Sequence, residues 1–136
     1  MTLMIGEIIE KIKPLKKDEA VAFLKKNMTP HLMTILREST TPENYDKEVL
    51  NTTWKINKEE IGWTDISLYQ ETKNLKHFYK TSPMLMPKRK KLLADILEEL
   101  DRVEAGIFCS IIGGTFYNQV PNLTPNDIKE LILAPK

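Results

Sequence analysis

The chain is poor in the residues that announce chemistry. It holds a single cysteine, Cys109, which excludes an intramolecular disulfide. That residue lies in an apolar run, which suits a reducing compartment and a buried thiol packing as a small hydrophobe. The two histidines, His31 and His77, fall in different helical segments without the cysteine or carboxylate spacing of a metal site. Five glycines supply no phosphate loop, dinucleotide fingerprint or Gly-x-Ser-x-Gly elbow. No catalytic residue, metal or cofactor is expected, and the chain reads as a binding protein rather than an enzyme. Apolar runs are broken by Lys, Glu or Asp long before the roughly 18–20 residues that a membrane-spanning helix needs. Met1–Ile12 carries Glu7 and Glu10 and lacks the basic lead and cleavage site of a secretory signal. A cytoplasmic protein is expected.

What is present is helix. With 136 residues, 41% of them apolar, the chain suffices for one core and one domain spanning 1–136. Ile5, Ile8, Ile9 and Ile12 recur at helical spacing before Pro14, which predicts a first helix over about residues 3–13. Asp18 is the expected N-cap of a second, carrying Val21, Phe23 and Leu24, with Asn27 as a left-handed stop. Thr29-Pro30 pairs a capping hydroxyl with a proline for a third helix bearing Leu32, Ile35 and Leu36. From Ser39 to Trp63 no period is sustained, so a long irregular connection with one short helical turn is expected.

Helicity returns with Leu68, Tyr69, Thr72, Leu75 and Tyr79, opened by Asp65 or Ser67 and closed before Pro83. A fifth helix starts at Pro87 and uses Leu93, Ile96, Leu97 and Leu100. Asp101 and Glu104 form a capping-box pattern ahead of Val103, Ile107, Phe108, Ile111 and Ile112, with Gly113-Gly114 as the stop. That sixth helix is apolar nearly all round and is expected to be the most buried. Thr124-Pro125 opens a last helix with Ile128, Leu131 and Ile132, ending near Pro135. The fold class is therefore all-α, a compact bundle of about seven short helices with a long irregular connection in the middle. The acids Glu98, Glu99, Asp101 and Glu104 read as a solvated face at a helix junction.

The net charge of +1 hides a polarity: residues 64–91 hold seven Lys or Arg against two acids, and 92–136 hold three against seven. Lys73, Lys76 and Lys80 follow the fourth helix, and Lys88, Arg89, Lys90 and Lys91 crowd the first turn of the fifth. Cations at a helix N-terminus oppose the macrodipole, so an external anion or solvent must account for them.

Ile5 to Ile12, Ala20 to Asn27 and Leu32 to Arg37 together resemble the opening of the N-terminal helical DNA-binding domain of phage ATP-dependent DNA ligases. Leu92 to Leu100, Glu104 to Ile112 and Asn122-Leu123-Thr124 before the last helix resemble its closing helices. The layout is also similar to small free-standing proteins of large tailed phages. The resemblance implies a DNA-binding module. The family's Lys-x-Asp-Gly motif occurs nowhere, and the chain ends where the catalytic domain would begin, so ligase activity is not expected. Asn122 replaces the family's glycine in the last turn, and Phe116-Tyr117-Asn118-Gln119 replaces its basic segment.

Three readings follow. The first is a non-catalytic accessory module holding duplex DNA by its phosphates through Lys73, Lys76, Lys80, Lys88, Arg89, Lys90 and Lys91. In it the helix N-terminus at Asn122, Thr124 and Asn126 adds a further anion contact. The second is a protein-interaction factor docking on a phage or host component through Trp54, Trp63 and Met84-Leu85-Met86. The third is a structural helical subunit. Cofactors are expected in none of them.

Overall fold

The structure, a computed structural model, describes residues 3–133. Among these residues it holds seven α-helices and no sheet: α1 (Ile5–Ile12), α2 (Lys17–Lys26), α3 (Pro30–Ser39), α4 (Leu68–Glu71), α5 (Met86–Glu99), α6 (Arg102–Gly113) and α7 (Pro125–Leu133). The all-α bundle expected from the sequence is the fold. The helix stop expected near Pro135 lies outside the described residues.

The isoleucine stripe explains α1. Ile5, Ile8, Ile9 and Ile12 fall on one face and are all fully buried, each worth roughly 1.5–3 kcal/mol over exposure. α6 is the centre of the molecule, packing against α1, α3, α4 and α5. Its Ile107, Phe108, Ile111 and Ile112 are buried, and it ends as the sequence predicts, with Gly114 left-handed at φ 75°. α7 closes the bundle against α2 and α3. The buried apolar side chains form one cluster.

Three local expectations are corrected. α2 is entered at Lys16, and Asp18 lies in its first turn rather than at the cap. Asn27 is not left-handed (φ −107°); it ends α2 by turning its side-chain amide back onto the Phe23 carbonyl at 2.9 Å. The expected fourth helix is α-helical only over Leu68–Glu71 and continues as a 3-10 stretch over Thr72–Phe78. That tighter winding lets Thr72, Leu75 and Phe78 reach the core together at a spacing of three.

The middle of the chain is irregular, as expected, but it is firmly tied down at its start. It contains two 3-10 turns, Pro42–Asn44 and Lys47–Leu50. An isolated antiparallel bridge joins Tyr45 to Tyr79, where Lys80 N–H donates to Asn44 O and Asp46 N–H to Phe78 O. Both tyrosine hydroxyls donate to one oxygen of Glu38, from Tyr45 at 2.6 Å and from Tyr79. Burial and the Glu38 carboxylate push the Tyr79 phenol up to about 12, so it stays a proton donor at neutral pH. The Tyr45 phenol is raised further for the same reasons.

Candidate functional site

The segment after Asn51 lays a rim over the corner where α5 meets α6, and the sequence shows how. Trp54 packs against the core, and Ile66 does so at the other end. Between them the Asn57 side-chain amide donates to Glu98 O at 3.2 Å, one of the last carbonyls of α5, which lack an intrahelical partner. Asn57 Oδ1 accepts from Glu59 N–H at 3.0 Å, bending the chain locally. Glu60 to Trp63 then forms a turn, with Trp63 N–H donating to Glu60 O and Gly62 at φ 91°, a conformation that favours glycine.

The rim leaves two hollows that share Asn57. One, of about 240 Å³, is walled by Trp54, Ile56, Leu97, Ala105, Gly106 and Cys109, with Arg102 as its charged residue. The other, of about 430 Å³, is walled by Asn57, Glu59, Trp63, Thr64, Asp65, Ile66 and Glu99. Trp63 is 74% exposed and Ile56 60% exposed, so two large apolar side chains stand open beside the hollows. Burial raises the Cys109 thiol to about 11, which makes it part of an apolar wall rather than a nucleophile.

The sequence pointed to Trp54 and Trp63, and the structure brings both to this groove. It does not bring Met84-Leu85-Met86 there. Those residues lie at the opposite end of α5, about 20 Å along a 14-residue helix. Leu85 is exposed, while Met84 and Met86 are half-buried. The groove's helical walls, Leu97, Ala105, Gly106, Cys109 and Glu99, escaped the sequence reading. Leu97 and Ala105 look like ordinary core residues until the loop's path is known.

The cationic residues divide in two. Lys73, Lys76, Lys80 and Lys88 are exposed and take part in none of the ion pairs among the described residues. Arg89 is turned inward: its guanidinium donates to Met84 O at 2.6 Å and Ser82 O at 2.8 Å and lies 3.5 Å from Asp46. It organises the turn ahead of α5 and answers why a cation sits there. Lys90 pairs with Glu48 and Lys91 with Asp95, each at 3.4 Å.

The start of α7 is also engaged. Asn122 donates its side-chain amide to Ile12 O at 3.0 Å and to Leu15 O, tying the end of α1 to the turn before α7. Thr124 N–H donates to Asp127 Oδ2 at 2.8 Å, and Asp127 N–H donates back to Thr124 Oγ1 at 3.2 Å. Lys17 lies 2.8 Å from the same carboxylate. An internal anion thus occupies the position expected to meet a phosphate, with Asn126 left exposed beside it.

The acidic residues at the α5–α6 junction are not one solvated face. Glu98 and Glu99 are exposed, but Asp101 and Glu104 are each only 1% exposed. Asp101 caps α6 by accepting from Glu104 N–H at 2.9 Å. The Glu104 carboxylate accepts from Gly6 N–H and Leu68 N–H, both at 2.8 Å. One side chain of α6 therefore holds the first turns of α1 and α4, where the helix dipoles favour an anion. Burial raises its pKa, opposed by the two amide bonds. Gly6 makes this approach possible, since a Cβ there would lie 2.8 Å from Glu104 Cγ.

His31 shares a hydrogen bond of 3.1 Å with Thr72 and packs edge-on to Tyr69. No group of three or more potential metal ligands occurs among the described residues, and no described helix is long and apolar enough to cross a membrane. No protein-family model, curated protein or solved structure matches the chain.

Proposed function

We propose that the protein is a binding module for another polypeptide, which it engages in the groove between residues 51–66 and the α5–α6 corner. The observation that carries this reading is the apolar hollow walled by Trp54, Leu97 and Ala105, with Ile56 of its wall and Trp63 of the adjoining hollow open to solvent. A hollow of about 240 Å³ takes one large apolar side chain, and buried aromatic or aliphatic anchors in such pockets dominate protein recognition. The test pans a displayed library of random short peptides against the protein and against Gly106→Leu. Gly106 lines the hollow, and a Cβ there meets only Gln119 Nε2, at 3.9 Å, so the position has room for a side chain to begin at the hollow's wall. Peptides should be retained by the wild type and lost by the variant. Equal retention by both, or no selection at all, overturns the reading.

A second reading, a polyanion-binding surface of the kind the ligase resemblance implies, is favoured by one observation. Lys73, Lys76, Lys80 and Lys88 stand exposed and take part in no ion pair among the described residues. Each phosphate neutralised would release counterion and make binding to duplex DNA salt-dependent. Replacing the four by Ala should lower the salt at which the protein leaves heparin; unchanged elution rejects this surface.

A further inference from the structure

We infer that the polypeptide bound in the groove carries a basic residue, Lys or Arg, beside its apolar anchor, and that Trp63 with Glu59, Asp65 and Glu99 receives it. This inference rests on the proposed groove and specifies its occupant. The two hollows meet at Asn57, which lines both, so a segment that places an apolar side chain in one has the other within reach of a neighbouring residue. The first is apolar apart from Asn57 and Arg102, and the charge of Arg102 disfavours a cation in that compartment. In the second, Glu59, Asp65 and Glu99 share the wall with the open indole of Trp63.

None of those three carboxylates takes part in an ion pair among the described residues. The fold therefore leaves their charge uncompensated on one side of a concave surface. A cation held over an indole face and near carboxylates gains from both. An acidic side chain there would meet three like charges, which gives the groove a direction as well as an affinity. The apolar hollow supplies the anchor, and the acidic one decides which anchors are accepted.

The experiment resynthesises the peptides selected on display. It measures their affinity for the wild type and for the triple variant Glu59→Gln, Asp65→Asn, Glu99→Gln, following the Trp63 indole N–H by NMR. Lys or Arg next to the apolar residue should dominate the selected sequences. Changing that residue to Gln, or using the triple variant, should weaken binding about tenfold, with the loss shrinking at high salt. The Trp63 indole resonance should move only with peptides carrying the basic residue. Peptides that share an apolar anchor without a basic neighbour, and bind the triple variant as tightly, overturn the inference and leave the groove reading standing. Failure to select any peptide overturns both.

Discussion

Replacing Glu104 with Ala should cost more than any surface change, and the structure gives the reason. The substitution leaves the amides of Gly6 and Leu68 without their acceptor. Each is buried, and each unpaired donor costs about 1–3 kcal/mol. The lost methylene adds about 0.8 kcal/mol, and relief of a desolvated carboxylate offsets part of the sum. The expected loss is about 3–5 kcal/mol. Glu104→Gln keeps one carbonyl oxygen for one of the two amides and should cost about 1–2 kcal/mol.

Gly6 provides the control. Gly6→Ala alone forces a methyl to within 2.8 Å of Glu104 Cγ and should destabilise by about 1–3 kcal/mol. In the Glu104→Ala background that contact is gone, and the alanine should be neutral or help by up to about 1 kcal/mol through helix propensity. Urea unfolding of the four proteins, with slopes compared to confirm that the same surface is exposed, gives the coupling directly. A Glu104→Ala protein within about 1 kcal/mol of the wild type, or additive effects of the two changes, would refute the bridging role assigned to this carboxylate.

Two further outcomes are expected. The Lys17 amine and the Thr124 backbone N–H hold the Asp127 carboxyl below its ordinary value, and Asp127 in turn raises Lys17. Their contribution is present from about pH 4 to about pH 10. It is lost as pH falls through the lowered Asp127 pKa and as pH rises through the raised Lys17 pKa. The difference in melting temperature between wild type and Asp127→Asn should therefore narrow at both extremes of pH, and a difference that stays constant into acid rejects the linkage. Cys109, with its thiol raised to about 11 by burial, should react slowly with iodoacetamide at neutral pH and gain about tenfold in rate per pH unit up to that value. Labelling as fast as free cysteine would show that the wall it belongs to is open.

The sequence disclosed the helices through their ends. Thr29 caps α3 by accepting from Leu32 N–H, Asp101 caps α6, and Thr124 and Asp127 close the start of α7, all from patterns a few residues long. The same locality explains what escaped. Arg89 reads as one of four surface cations, because nothing near it reveals that the preceding turn will present the carbonyls of Ser82 and Met84 to it. Glu104 reads as the second half of a capping box, whereas its carboxylate serves residues 98 and 36 positions away. The groove is half legible: two tryptophans in an irregular stretch, Trp54 and Trp63, mark candidate contact residues, and both line it. Its floor belongs to helices whose apolar residues follow the same spacing as the core.

The bridge through Glu104 also sets an order of events during synthesis. Gly6 leaves the ribosome 98 residues before the side chain that receives its amide, an interval of about 5–20 s at ordinary elongation rates. An eight-residue helix such as α1 falls short of the roughly 12–15 residues needed for stability in isolation. Throughout that interval the four isoleucines lack the central helix α6 that they pack against, so the nascent chain carries an incompletely covered apolar stripe within reach of chaperones.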